Sequence, residues 1–409
     1  MRVLGWSTVM FLLAIGMTVA QGDEAGLVAR AMDIHKRVLT LDTHDDIPFN
    51  FATPEVDPGV RGERQVDLPK MREGGLDVGF FIVYVGQGPR TPEGYEKAKA
   101  DAMMKFDAIH RMTGKMYPEQ IGLASSPADV ERLHGAGKLV AAIGIENGYV
   151  IGRDLSLIRT YHGRGARYMT LAHGGHNDIA DSATPRENEP AAEHNGLSAF
   201  GRQVVAEMNR VGMMVDISHI AKKSAMDAMA VSRAPVIASH SGARAVNDHP
   251  RNLDDEALLA LKKNGGVVQA VALGSFVKND PPEKRAALEA LRNELGIAGF
   301  GRGSVPLDKR AEYDRRRAEL DAKWPPATVR DFVNHIDYMV KLIGIDHVGI
   351  SSDFDGGGGI VGWNNAAETP NVTIELVRRG YTEAQVAKLW GGNLLRVWRE
   401  VEKSARATD

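Results

Sequence analysis

The sequence predicts an α/β chain folded as a (β/α)8 barrel, and three observations carry that prediction. Eight short apolar runs recur along the chain, segments of helical periodicity separate most of them, and six of the eight end on a metal-binding or proton-moving residue type. Continuous apolar runs suit parallel strands buried on both faces, and their alternation with helices marks successive βα units. A barrel assembles its chemistry at the C-terminal ends of several strands. An open doubly wound sheet would draw on few strands near a switch point, so six contributing ends count against it.

Residues 24–37 read as an amphipathic helix leading into the first strand, Val38–Thr43, which runs into His44-Asp45-Asp46. On a strand, residues two apart face the same way, so His44 and Asp46 offer an imidazole and a carboxylate together, half of a divalent-metal site. Taken alone the cluster is an ordinary turn. Its recurrence downstream reverses the odds. Residues 50–65 are a loop, and 66–75 a short helix closed by glycine. The second run, Val78–Val85, precedes a helix over 93–113.

The third run, Leu139–Ile145, ends on Glu146, and a carboxylate closing a buried strand needs a cation or strong donors. After a helix at 153–164, the fourth run, Arg167–Ala172, ends on His173. A helix at 197–211 leads to Met213–Ser218 and His219, and one at 222–231 leads to Ala234–Ser239 and His240. The seventh run is Gly265–Val271, and the eighth, His347–Ser352, ends on Asp353. Between these two lies a charged insertion, Phe276 to about Pro326, expected as solvated helices outside the barrel rather than as a lid. Thr382–Glu402 is expected as a helix interrupted at Gly391-Gly392-Asn393, closing the barrel's base or flank.

Composition narrows the function classes. Apolar content of 43% and charged content of 25% are those of a soluble globular protein, and a formal charge of -3 gives no electrostatic case for nucleic acid. Arg2, an apolar stretch to Ala20 and then Gln21-Gly22-Asp23-Glu24 form the pattern of a signal peptide, residues 1–20. The remaining 21–409 are expected as a single barrel domain, exported to the periplasm or secreted, with no stable membrane association after cleavage. Cysteine is absent, which removes disulfides, thiol chemistry and thiolate ligands. Any metal must be held by His, Asp and Glu, which favours zinc, manganese or a similar ion.

Together, His44, Asp46, Glu146, His173, His219, His240 and Asp353 fit a two-metal hydrolase in which a carboxylate bridges both ions. The motifs that carry them resemble those of the membrane (renal) dipeptidase family of zinc peptidases. These are Asp42-Thr-His44-Asp-Asp46-Ile-Pro48, Gly144-Ile-Glu146-Asn-Gly148, Arg167-Tyr-Met-Thr-Leu-Ala-His173, Val215-Asp-Ile-Ser-His219 and Ala234-Pro-Val-Ile-Ala-Ser-His240-Ser241. His249-Pro-Arg251-Asn252, Val348-Gly-Ile-Ser-Ser-Asp353-Phe-Asp-Gly356 and the segments 65–75 and 391–393 follow in family order.

The resemblance implies zinc-dependent hydrolysis of dipeptides, with D-residues accepted at the C-terminal position, by a water activated between two zinc ions. His44 and Asp46 would bind one ion and His219 and His240 the other, with Glu146 bridging. Asp353 would handle the proton, His173 stabilise the oxyanion and Arg251 grip the substrate's C-terminal carboxylate. Departures from the family pattern bear on side-chain preference. Gly174-Gly175-His176 introduces a histidine at the rim, the seventh run ends on Ala272-Leu273 without polar or aromatic residues, and Gly356–Gly359 reads as flexible. Two other readings stand beside the first: a related amidohydrolase acting on another small amide, an N-acyl amino acid or a lactam, and a non-catalytic exported binding protein. Retention of Glu146 and Asp353 counts against the second. Whether the chain acts as a homodimer is left open.

Overall fold

The computed structural model describes residues 24–297 and 305–406. The expected signal segment, residues 1–20, lies outside the described residues, as does 298–304 within the insertion. The eight apolar runs become parallel strands, and a short unforeseen one, β3, joins them: β1 Leu41–Asp46, β2 Val78–Tyr84, β3 Ile121–Leu123, β4 Leu139–Glu146, β5 Ala166–Thr170, β6 Met214–Asp216, β7 Ile237–Ser241, β8 Val267–Val271 and β9 Val348–Ser351. Their hydrogen-bonded order, β1-β2-β4-β5-β6-β7-β8-β9, is an eight-strand barrel, with β3 appended to β4.

The eighth strand meets the first without a full ladder. The Asp46 N–H donates to the Phe354 carbonyl at 2.9 Å, and the Ser352 N–H to Asp42 Oδ1 at 2.9 Å. A buried carboxylate thus does part of the work of a strand backbone. β3 is too short for its apolar pattern to stand out in sequence. It pairs with Leu139 to Ala141 of β4, below Ile143, where β5 takes over.

Alternation along each strand sorts side chains between two cores. Val78, Phe80 and Ile82 of β2 point into the barrel with Val140, Ala142 and Tyr168, while Phe81 and Val83 face the surrounding helices. The outer ring includes the helices Pro92–Arg111, Ala199–Val211, Lys222–Val231, Asp255–Asn264 and Val329–Ile343. Gly212 (φ 83°) and Gly265 (φ 84°) end two of them in the left-handed conformation that turns the chain toward β6 and β8.

The C-terminal segment closes the base. Its expected interruption is a π-helical turn, Lys388–Gly392, continuous with the helix Asn393–Arg406. A Cβ on Gly391 would approach the Leu39 carbonyl to 3.2 Å, so glycine permits the turn to sit against the chain entering β1. Leu394, Leu395, Val397, Trp398 and Val401 then seal the barrel interior, with Trp398 5.8 Å from the Phe80 ring. Each such side chain contributes roughly 1.5–3 kcal/mol by leaving water.

The charged insertion between β8 and β9 forms helices Pro282–Glu294 and Leu307–Lys323 that share their own small core of Leu291, Ile297, Val305 and Tyr313. Ion pairs from Arg316 to Glu294 and from Lys284 to Asp280 and Asp321 tie them together.

Candidate metal centre

Strand ends deliver the expected residues to one rim of the barrel. The β1 ladder carries an irregularity between Asp42 and Asp45, so the first strand runs on to Asp46 rather than stopping at Thr43. His44 Nε2 then lies 3.4 Å from Asp46 Oδ2, 3.6 Å from Glu146 Oε2 and 3.9 Å from Asp353 Oδ1. Glu146, the last residue of β4, is the hub. Its Oε1 is 2.9 Å from His219 Nε2, 3.4 Å from His240 Nε2 and 3.6 Å from His173 Nε2. His240 is a member of β7 rather than the residue after it, and its Nε2 lies 2.7 Å from that of His219.

Two of these side chains are held by unusual backbone. His219 (φ 66°) and Asp353 (φ 58°) occupy the left-handed region without being glycine. Each such residue costs about 1–3 kcal/mol, a strain that gathers at functional sites.

The outward nitrogens of two histidines are tied down. Tyr168 donates from its hydroxyl to the Thr43 carbonyl at 2.8 Å, so at 3.1 Å it accepts from His44 Nδ1. Ser239 donates to Asp216 Oδ2 at 2.7 Å and accepts from His240 Nδ1 at 2.8 Å. Both rings therefore turn Nε2 toward the centre. Such outer partners fix ring orientation and tautomer in metal sites.

A divalent ion fits the donor set. His44 Nε2 is buried without a hydrogen-bond partner, among three carboxylates, and the Nε2 atoms of His219 and His240 converge to 2.7 Å. Three overlapping groups have donor atoms within 4.8 Å of one another: His44, Glu146 and His240; Glu146, His173 and His219; His44, Asp46 and Asp353. All are nitrogen or oxygen donors, as the absence of cysteine requires. Distance alone places His173 and Asp353 as close to the ligand groups as the residues expected to bind metal.

Charge is divided unevenly. Burial would raise Glu146, yet His44 and His173 hold it well below the ordinary carboxylate range. Burial drives Asp353 well above that range, with Asp46 and Glu146 adding to the shift and His44 and Arg251 opposing it. Two carboxyls pushed in opposite directions are the arrangement from which acid and base roles are made. Burial, with Arg251 and the neighbouring rings, keeps His219 and His240 well below the imidazole range.

Arg251 stands beside this centre on the loop after β7. It is 5% exposed, its guanidinium lies 5.3 Å over the Phe276 ring, and its Nε has no partner. Among the described residues the guanidinium makes one hydrogen bond, a long one, 3.4 Å to the His240 carbonyl. Burial lowers it to about 10. A cavity of about 200 Å³ adjoins it, lined in part by Ser182, Ile217, Ile220, Ser241 and Leu253.

His176, the departure noted at the rim, joins none of the ligand groups. It accepts from the Ser182 N–H and donates to the Pro190 carbonyl, pinning the loop after β5. The glycine run also has a different explanation from flexibility. A Cβ on Gly356 would come within 2.2 Å of Asp46 Oδ2 and 2.5 Å of Asp353 Oδ1, so the carboxylates leave no room for a side chain.

Tyr168, Ser239 and Asp216 escaped sequence reasoning although they lie within the quoted motifs. Asp216 closes an apolar run as Glu146 does, and the same desolvation argument applied there would have marked it.

The family model described as membrane dipeptidase (peptidase family M19) matches residues 28–409. The chain is 35% identical over 348 residues to the dipeptidase aclJ of Aspergillus oryzae, covering 84% of this chain and 71% of that protein. It is 33% identical over 345 residues to the dipeptidase tcpJ of Claviceps purpurea, covering 83% and 70%. Among solved structures, the probable dipeptidase PvdM from Pseudomonas aeruginosa superposes with a TM-score of 0.82 at 34% identity, covering 93% of this chain and all (100%) of that one.

Proposed function

The chain belongs to the membrane dipeptidase family of metal-dependent dipeptide hydrolases, and from that premise we propose that it cleaves dipeptides with two zinc ions held at the barrel's rim. His44 and Asp46 would hold one ion and His219 and His240 the other, with Glu146 a ligand available to both. The observation that carries this reading is the convergence of three histidine Nε2 atoms on Glu146, one of them, the buried His44, without any hydrogen-bond partner. When bound, such ions supply Lewis acidity that lowers the pKa of water and polarises a carbonyl.

The chain's own groups do the rest. Arg251 takes the substrate's terminal carboxylate, because a buried guanidinium fork with no ion pair among the described residues matches that group in shape and charge. Asp353 accepts the proton of the attacking water at a carboxylate oxygen and passes it to the departing amine. His173, more open than its neighbours at 27% side-chain exposure, donates to the carbonyl oxygen as that atom gains charge. Fixing carboxylate and carbonyl together limits the substrate to two residues.

The test is turnover by the zinc-replete protein of a panel of dipeptides with L- and D-residues at the C-terminal position, beside N-acyl amino acids and lactams. Dipeptides should be preferred, with two metal ions per chain by elemental analysis. No turnover of any dipeptide would sink the reading. Export belongs to the same proposal and rests on the residues up to Ala20. Its test is the N-terminus of the mature protein, expected at Gln21.

A further inference from the structure

The helix Pro92–Arg111 places one buried lysine, Lys105, in an unusual position. Lys70, Lys105 and Lys284 are 6%, 4% and 1% exposed. Lys70 is satisfied by Asp67 and the Gly62 and Arg64 carbonyls, and Lys284 by Asp280 and Asp321. Lys105 makes no hydrogen bond or ion pair among the described residues. Its ammonium instead lies 5.1 Å from the Phe49 ring and 5.7 Å from the Tyr84 ring. A buried ammonium without an anion is expensive, and cation–π contacts offset only part of that cost.

Its surroundings belong to the metal centre's wall. Tyr84 ends β2 opposite Glu146 in the strand register, and its ring is 4.7 Å from His173. Burial lowers Lys105, and the acids that chiefly oppose the shift are Asp46 and Glu146. Phe49, half exposed at 50%, opens the same wall to solvent. Around the ring, β1 and β2 stand across from β6 and β7, the side of Arg251. Two buried cations with no ion pair among the described residues therefore flank the centre from opposite sides.

Resting on the dipeptidase reading, we propose that Lys105 is a specificity residue for the acyl side, selecting dipeptides whose N-terminal residue carries a carboxylate side chain. Arg251 holds the leaving residue. Lys105 receives the aspartyl or glutamyl carboxylate, whose methylenes lie along Phe49 and Tyr84. Both cations that flank the centre are then met by one substrate.

The experiment compares L-Glu-L-Ala with L-Gln-L-Ala, and L-Asp-L-Ala with L-Asn-L-Ala, in wild type, Lys105→Met and Lys105→Arg. Wild type should favour the acid over the amide by about tenfold in kcat/KM, chiefly through KM. The ratio should collapse toward one in Lys105→Met and survive in Lys105→Arg. Calorimetry with the acyl-side products supplies a readout besides turnover: L-glutamate should bind wild type more tightly than L-glutamine, and Lys105→Met should not distinguish them. An acid-to-amide ratio near one in wild type overturns the assignment without any variant. An unchanged ratio in Lys105→Met, with both substrates losing equally, reduces Lys105 to a packing post between two rings. No turnover with any dipeptide overturns the dipeptidase reading itself, and the substrate class falls with it.

Discussion

Asp353 combines a left-handed backbone, burial and a carboxyl driven well above its ordinary range, so its substitution separates two roles. Asp353→Asn keeps the shape but cannot carry the proton, and kcat should fall by about 10²–10⁴-fold with metal content unchanged. Metal lost in step with activity would make Asp353 a ligand instead, as its place beside His44 and Asp46 also permits. Arg251→Ala removes a charged hydrogen-bonding fork worth about 1.5–3 kcal/mol, which should appear as a rise in KM of roughly 10–100-fold. Arg251→Lys should restore little, because a point charge lacks the planar pair of donors. An unchanged KM in Arg251→Ala would remove the clamp. At this scale the spacing of His44 and Asp46 was legible, since it follows from strand periodicity alone. Lys105 was not. Its meaning lies in partners it lacks, and no local pattern records an absence.

At the scale of elements, β4 and β5 connect barrel packing to the histidine rings. Gly144 of β4 leaves room for Tyr168 of β5: a Cβ there would come within 2.2 Å of the ring, which is fully buried. The Tyr168 hydroxyl in turn holds His44 Nδ1. Gly144→Ala should therefore cost about 1–3 kcal/mol by overpacking and weaken metal binding at once. Denaturant melts and metal titration measure the two effects. Tyr168→Phe is the matching test, since it removes the hydroxyl without crowding, and should weaken metal affinity by about 10–100-fold with a smaller change in stability. Metal affinity unchanged from wild type in both variants would break the link between packing and ring orientation. Element existence was readable because the apolar runs are long and punctuated. The ends were less so: β1 extends to Asp46 and β7 includes His240, because neighbouring strands decide where pairing stops.

For the whole molecule, residues from β1, β4 and β7 and from the loops after β5, β6 and β9 meet at one centre, so metal binding and global stability are linked. With free zinc at 100–1,000 times Kd the folded state should gain about 2.7–4.1 kcal/mol, read as a drop in Tm on chelation that zinc reverses. A Tm indifferent to chelation would detach the centre from the fold's stability. The chelated protein should also be acid-sensitive. Burial lowers His162 and His249 from an ordinary 6.5 to about 4. Between those values the unfolded chain binds more protons than the folded one. Their contribution is thus full above pH 6.5 and is lost as the pH falls toward 4. His162→Gln should make that decline in Tm shallower, and a slope the same as wild type would exclude His162 as a contributor.

By itself the sequence determined the barrel and most of the chemistry. Eight buried runs that alternate with helices leave few other ways to cover both faces of a parallel sheet, and a carboxylate or imidazole ending an apolar strand must find a partner in the folded state. Tertiary structure alone decided how those partners are shared. Closure of the ring by Asp42 and Phe354, the meeting of His219 with His240, the support of His44 by Tyr168 and the isolation of Lys105 all arise between segments far apart in the chain. Periodicity reports which way a side chain faces along its own element; which atoms it meets depends on the stagger and curvature of the strands around it.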